Sequence, residues 1–162
     1  LARCMVNLAQ PKKGDLVMDP FCGTASMLIE AGLIGCRVIG LDVRRQMIDG
    51  SLQNLSHYGI ESEGMILADA KHLPIIKIDC IVTDPPYGRS ATTLRWSTQQ
   101  IVEKFLSNVD AVVSRGKRIC MASPKSVRIG KIGEEFGFKH LESHFVYVHR
   151  SLTREIAVLE KI

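Results

Sequence analysis

The sequence predicts an α/β protein with a doubly wound, seven-stranded, mostly parallel sheet that ends in an antiparallel hairpin. Strand-like and helix-like apolar segments alternate along most of the chain. Four of the strand-like runs end in an aspartate, at Asp19, Asp42, Asp69 and Asp84. The last two strand-like segments are joined by only a few residues, too few for a helical crossover, so we expect them to pair antiparallel.

The individual elements follow from the spacing of apolar residues. The strands are predicted at residues 16–19, 37–42, 64–68, 78–83, 118–122, 138–149 and 154–160. The helices are predicted at residues 24–33, 44–58, 98–114 and 126–136. In such sheets the ligand lies at the carboxyl ends of the strands, near the point where the strand order reverses. The four aspartates are therefore expected at one ligand-binding edge.

Length and composition indicate a single domain, residues 1–162, in which 46% of the residues are hydrophobic. No apolar run approaches the roughly 20 residues that a membrane helix needs, and no signal peptide opens the chain. The five cysteines form no CxxC pair, which predicts core thiols in a reducing compartment and no metal site. We expect a cytoplasmic protein without membrane partners. Because the chain begins at Leu1, we also expect it to be a fragment of a longer protein.

Charge is distributed unevenly along the chain. The whole sequence carries a net +4, but residues 115–162 hold ten basic and five acidic residues, a net +5. This last third is where a polyanion would be attracted, although a solvated basic face explains the same numbers equally well.

The turn after the first strand is the first candidate ligand site. Gly23 lets the backbone pass close to a ligand, and the helix that follows offers free N–H groups. Asp42 follows Gly23 by nineteen residues, the separation at which an acid reaches ribose hydroxyls in doubly wound folds. Asp69 could accept a hydrogen bond from an adenine amino group. The turn lacks the longer glycine-rich loop or lysine that a phosphate requires, so we expect an adenosyl cofactor rather than a nucleotide.

The most specific feature is Asp84-Pro85-Pro86-Tyr87 after an apolar strand. Two prolines fix the backbone where an acid and an aromatic ring emerge at the ligand edge. An exocyclic base amine is a poor nucleophile because its lone pair is delocalised into the ring. Asp84 and the Pro85 carbonyl could accept its two hydrogens and draw the lone pair toward a methyl donor, while Tyr87 stacks on the flipped base.

These residues look like the D/N-PP-Y/F signature of amino-methyltransferases that act on nucleic-acid bases. Beyond it, LARCMVNLA, DPFCGTASMLIEA, LDVRRQMIDGSLQNL, LADAKHLP, TDPPYGRSAT and HRSLTREIAVLE resemble the archaeal and eukaryal tRNA guanine-10 N2-methyltransferase family over essentially the whole chain. The resemblance implies the class I (Rossmann-like) methyltransferase fold, the cofactor S-adenosylmethionine, and tRNA as the substrate. It also implies an upstream THUMP-type RNA-binding domain. Whether a small activating protein subunit is needed stays open.

Residue by residue, the resemblance implies two sets of functional positions. Catalysis is expected at Asp84, Pro85, Pro86 and Tyr87, and cofactor contact at Asp19, Gly23, Thr24, Asp42, Asp69, Ala70 and Asp84. The chain departs from the family at Ala25-Ser26, where another glycine is usual. Alanine permits the same close approach if its φ is negative.

Contacts with RNA are expected from three arginines. Arg89, just after the catalytic loop (residues 84–87), could hold a phosphate or a guanine edge, and Arg150 and Arg154 near the hairpin turn are expected to contact phosphates. Trp96, just beyond the catalytic loop, could stack on nucleic acid or pack on the sheet.

Three alternatives remain. DNA adenine or cytosine amino-methyltransferases share the signature but usually add a target-recognition insertion, for which no segment is free here. In protein glutamine methylation the signature typically begins with asparagine, which Asp84 does not match. A catalytically silent cofactor-binding subunit would fit the Ala25-Ser26 departure, whereas intact Asp84 and Tyr87 argue against it.

Overall fold

A computed structural model describes residues 1–75, 77–87 and 97–162 of the chain. Seven strands form one sheet: β1 (Leu16–Asp19), β2 (Arg37–Asp42), β3 (Ser62–Leu67), β4 (Ile78–Thr83), β5 (Val113–Pro124), β6 (Phe138–His149) and β7 (Leu152–Lys161). The helices are α1 (Ala2–Ala9), α2 (Ser26–Leu33), α3 (Arg45–His57), α4 (Thr98–Val109) and α5 (Ile129–Glu135), with one 3₁₀ turn at Lys125–Val127.

The strand order is β3-β2-β1-β4-β5-β7-β6. Strands β1 to β5 are parallel, and β7 runs antiparallel to both of its neighbours, β5 and β6. The chain moves outward from β1 to β3 and then returns to place β4 against the other side of β1. The order therefore reverses between β1 and β4, where ligands bind in doubly wound sheets. The predicted seven-stranded sheet with its C-terminal hairpin is confirmed.

Helices cover both faces of the sheet because successive residues of the central strands point to opposite sides. Val17 and Cys80 pack with α1, α2 and α3, whereas Met18 and Ile81 pack with α4 and α5. Cys80 and Cys120 are buried in the core, as their apolar surroundings in the sequence predict. In the part of the chain that is described, no helix has the length and apolar character needed to cross a lipid bilayer.

The structure differs from the sequence prediction most clearly at three helices. Helix α1, which buries Met5 and Val6, was not predicted. The helix predicted to reach Ser114 ends at Val109, because the Val112 carbonyl accepts a hydrogen bond from Ile78 N–H and the next residue begins β5. The helix predicted at 126–136 is interrupted at Arg128, whose left-handed φ of 58° separates the 3₁₀ turn from α5.

Candidate active site

A cavity of about 340 Å³ opens at the carboxyl ends of β1 to β4. Five predicted ligand-binding residues line it: Gly23, Asp42, Asp69, Ala70 and Asp84. Its other lining residues are Pro20, Phe21, Val43, Arg44, Lys71, Pro86, Ile101 and Phe105. The cavity therefore combines several acids with an apolar wall. In this wall Phe21 and Phe105 pack edge to face, with their ring centroids 5.8 Å apart.

The glycine turn is fixed by hydrogen bonds from two directions. Gly23, with a φ of 51°, donates its N–H to Asp42 Oδ2 at 3.2 Å, and its carbonyl accepts the Ser51 hydroxyl at 2.7 Å. The Thr24 carbonyl accepts a hydrogen bond from the Asn54 amide at 3.0 Å. Strand β2 and helix α3 thus hold the turn in place, and the positive φ explains the requirement for glycine.

The residue that replaces the usual second glycine also has a left-handed backbone. Ala25 has a φ of 69° and precedes α2, so the negative φ expected there is not found. This conformation costs a non-glycine residue roughly 1–2 kcal/mol. Its methyl group is fully buried in the core on the α1–α3 side of the sheet, which offsets part of that cost.

Asp42 and Asp69 present carboxylates at the ends of β2 and β3. Asp42 Oδ1 accepts the Arg44 N–H at 2.8 Å, and its carboxylate is largely buried. Asp69 is more open and forms an ion pair with Lys71 at 3.0 Å. Burial alone would raise the pKa of Asp69, but the Lys71 N–H and ammonium outweigh it and lower the pKa. Asp69 is therefore ionised at neutral pH.

Asp19 is almost completely buried and does not line the cavity. Its Oδ1 accepts the Thr83 hydroxyl at 2.7 Å and the Phe21 N–H at 3.1 Å. Burial, assisted by the charges of Asp84 and Asp42, raises the pKa of Asp19 to about 7 against the lowering effect of these bonds. Asp19 ties the end of β1 to the end of β4, directly behind the ligand edge.

Asp84, Tyr87 and Arg154 form a cluster at the cavity mouth. Arg154 Nη1 lies 3.5 Å from Asp84 Oδ2, and the guanidinium carbon lies 5.2 Å from the Tyr87 ring centroid. Burial raises the pKa of Asp84, while Arg154 and Tyr87 lower it only in part. Asp84 Oδ1, the Tyr87 hydroxyl and Arg154 Nε are buried without a hydrogen-bond partner within the described residues. The Tyr87 hydroxyl lowers the pKa of Asp84 as a hydrogen-bond donor, although the geometry of the two side chains falls short of a normal hydrogen bond.

The remaining predicted positions lie apart from this cluster. Thr24 is exposed and does not line the cavity, and Arg150 is exposed in the turn between β6 and β7. Pro85 is buried beside the cavity-lining Pro86. Arg89 and Trp96 lie outside the described residues. Among the residues that are described, His, Cys, Asp and Glu form no group of three that could hold a metal ion.

Sequence reasoning missed several residues that shape the site. Phe105 follows the apolar stripe of α4 and cannot be distinguished from a core residue by spacing. Phe21 and Thr83 are each next to a predicted site residue in sequence, and that adjacency was the available signal. The contact of Arg154 with Asp84 depends on the pairing of β7 with β5, which places Arg154 opposite Pro124.

The strand order, the cavity at the reversal point and the strand-end acids define a domain of the class I methyltransferase type. A family model described as "RMKL-like, methyltransferase domain" matches residues 1–155. The chain belongs to this family.

Individual relatives support the same assignment. The tRNA (guanine(10)-N2)-dimethyltransferase of Methanothermobacter thermautotrophicus is 45% identical over 163 residues, covering 100% of this chain and 48% of that protein. The chain thus spans about half the length of this curated relative. The crystal structure of TrmN from Thermus thermophilus superposes with a TM-score of 0.82 at 23% identity, over 100% of this chain and 48% of that one.

A third comparison concerns a methyltransferase with a ligand. Magnesium protoporphyrin IX methyltransferase from Synechocystis, whose structure contains bound S-adenosylmethionine, superposes with a TM-score of 0.75 at 18% identity. The match covers 98% of this chain and 76% of that one. The resemblance to tRNA guanine-10 N2-methyltransferases that the sequence motifs indicate is confirmed.

Proposed function

We propose that this chain is the catalytic domain of an enzyme that transfers a methyl group from S-adenosylmethionine to the exocyclic N2 amine of a guanosine in tRNA, at position 10 by family resemblance. One observation carries the proposal. Asp84 lines the cavity at the carboxyl end of β4, and its buried Oδ1 is an acceptor that no donor of normal hydrogen-bond geometry satisfies within the described residues.

The cavity fits the adenosyl cofactor in size and in chemistry. Its volume of about 340 Å³ is within the range of small-molecule sites. Asp42 offers acceptors for ribose hydroxyls, and Asp69 and Ala70 flank the space for adenine. The apolar wall of Phe21 and Phe105 suits an uncharged ring. Asp19 and Thr24 are proposed to act on the cofactor through the glycine turn that they flank.

The catalytic step requires little more than acceptors at the right place. When bound, the cofactor supplies an activated methyl group on a positively charged sulfur. Asp84 and the Pro85 carbonyl accept the two N–H groups of the target amine and orient its lone pair toward that methyl group. Tyr87 stacks on the base and stabilises it outside the RNA helix. The proton lost by the methylated amine passes to Asp84 and then to solvent.

The RNA is proposed to approach along the β6–β7 hairpin, at the same edge of the sheet as Asp84. Arg150 occupies the exposed turn, and Tyr147 is 72% exposed on β6 beside it. The net charge of residues 115–162 favours a polyanion there. From the family resemblance we further propose an upstream THUMP-type domain that shares tRNA binding, and a small activating subunit as a candidate partner.

The decisive experiment is single-turnover methylation of an unmodified tRNA transcript by the full-length protein, with mass spectrometry of the product nucleosides. Asp84→Ala should lower the rate about 10²–10³-fold with little change in cofactor affinity, because one preorganised acceptor is lost in the transition state. Asp42→Ala should show the opposite pattern: weaker cofactor binding by calorimetry, with most of the rate recovered at saturating cofactor.

Asp110→Ala, at the far end of α4 from the cavity, serves as the matched control and should leave both quantities unchanged. Near-normal formation of N2-methylguanosine by Asp84→Ala would contradict the mechanism. Methylation of a DNA duplex in preference to tRNA would contradict the substrate.

A further inference from the structure

Arg154 reaches the catalytic loop from β7, which is separated from β4 by one strand, β5. It lies in β7, where its partner across the antiparallel ladder is Pro124 at the carboxyl end of β5. From there one guanidinium contacts both functional side chains of the loop, Asp84 at 3.5 Å and the ring of Tyr87 at 5.2 Å. The sequence pattern placed Arg154 with Arg150 as a phosphate contact, but the turn exposes Arg150 alone.

The other charged groups around Asp84 are mostly acidic. Asp19 stands behind it at the end of β1, and its pKa is raised in part by the charge of Asp84. Asp42 and Asp69 line the same cavity, each next to a basic residue of its own, Arg44 and Lys71. The catalytic loop itself contributes one titratable group near Asp84, the Tyr87 hydroxyl. Within the described residues, Arg154 is the cation in contact with Asp84.

We propose that Arg154 is a positioning residue for methyl transfer: its guanidinium holds the Asp84 carboxylate and the Tyr87 ring in the arrangement that receives the target base. The inference rests on the proposed function and adds a residue from β7 to its site. A guanidinium suits the task because one planar group can pair with a carboxylate and stack on an aromatic face together.

The geometry explains how Arg154 can hold Asp84 without taking the hydrogen-bond position that the target amine would use. The distance of 3.5 Å from Nη1 to Oδ2 is longer than a charge-assisted hydrogen bond, which is typically about 2.7–2.9 Å. The contact involves Oδ2, so Arg154 does not use the acceptor capacity of Oδ1. A cation this close favours the ionised form of Asp84 and lowers its pKa against the effect of burial. Both side chains keep about a quarter of their exposure, so solvent screens part of this effect.

The test is the pH dependence of kcat for the full-length protein acting on tRNA. Arg154→Gln should shift the acidic limb of the profile to higher pH, because the charge that favours the ionised form of Asp84 is removed. At pH values below the limb the variant should therefore be several-fold slower than the wild type, and its rate should recover toward alkaline pH. Arg154→Lys should keep the position of the limb but lower kcat at every pH, because an ammonium cannot stack as a plane on Tyr87. KM for the cofactor should stay unchanged in both variants.

The control is Arg115→Gln, an exposed arginine at the amino end of β5, which should leave the profile unchanged. An unshifted limb in Arg154→Gln would overturn the inference, as would equal activity of all three Arg154 forms.

A second measurement does not require activity. Aspartate-selective ¹³C labelling allows the Asp84 carboxyl to be titrated by NMR in the wild type and in Arg154→Gln, whose fold is checked by thermal unfolding. A higher titration midpoint in the variant supports the inference, and an equal midpoint refutes it. Failure of the wild type to methylate tRNA would refute the proposed function alone, since this titration would still decide the role of Arg154.

Discussion

Asp19 makes the stability of the chain depend on pH. Its folded pKa of about 7 exceeds the ordinary value of 3.8 because the carboxyl group is buried. Between pH 4 and pH 7 the folded state therefore retains a proton that the unfolded state has released. The free energy of unfolding falls as pH rises through this window, since the charged form is the one that burial penalises.

Asp19→Asn should remove this dependence. The amide oxygen can still accept the Thr83 hydroxyl and the Phe21 N–H, while no charge develops in the core. The variant should melt several degrees above the wild type at pH 8, and the two should converge near pH 4. Thermal unfolding followed by circular dichroism across this range measures the difference. A constant difference at all pH values would show that the carboxyl group titrates normally.

At the scale of single residues, the site residues at strand ends were predictable, whereas contacts between residues of distant strands were not. Gly23, Asp42 and Asp84 line the cavity as the turn and strand-end pattern predicts. Arg154 lies seventy residues after Asp84 in the sequence, and their contact exists because β7 inserts beside β5 in a particular register. No local pattern encodes that register.

At the scale of elements, α5 and α3 contain glycines in contrasting surroundings. A Cβ at Gly133 of α5 would lie 2.7 Å from Leu159 Cδ1, a core side chain of β7 that is fully buried. A Cβ at Gly50 of α3 would meet no atom within 4 Å. The first glycine permits close packing of α5 on the sheet, whereas the second only reduces helix stability.

Substituting alanine at these two positions should therefore change the free energy of unfolding in opposite directions. Gly50→Ala should stabilise the chain by about 0.5–1 kcal/mol through helix propensity. Gly133→Ala gains the same propensity but overpacks the core at a cost of about 1–3 kcal/mol, for a net destabilisation of about 1 kcal/mol. Urea unfolding of both variants measures the difference. A stabilising Gly133→Ala would show that Leu159 can move aside at little cost.

The boundaries of elements were less predictable than their existence. Helix α1 is short, has no side-chain cap and depends on packing against α2 and the sheet for its stability. Val112 and Val113 continue the apolar spacing of α4, so periodicity alone extends that helix too far. Pairing with Ile78 decides their conformation, and this contact is nonlocal.

At the scale of the whole molecule, the mostly parallel sheet and its antiparallel hairpin could be predicted because the connections are restrictive. Parallel strands need crossovers, and the short link between β6 and β7 admits only an antiparallel pair. The order places four aspartates behind or around one cavity, which concentrates negative charge at a single edge. The helices cover both faces of the sheet, so this edge, which lies between the two helical layers, is where the cavity opens.

The concentration of negative charge couples the buried proton of Asp19 to whatever charge enters the cavity. A bound sulfonium would oppose the charges of Asp42 and Asp84 that help to raise the pKa of Asp19. The pKa of Asp19 would then fall, and Asp19 would be protonated in a smaller fraction of the molecules. The demethylated product lacks the positive charge and should lower this pKa less. Calorimetry at pH 7 in buffers of different ionisation enthalpy should thus give a steeper dependence for the cofactor than for its product.

Asp19→Asn should make the two buffer dependences equal, and equal dependences in the wild type would exclude the coupling. If the coupling holds, each turnover includes a small proton cycle at a residue that never meets the substrate. The affinity ratio of cofactor to product would then rise with pH near neutrality, so that mild acidification would by itself strengthen product inhibition.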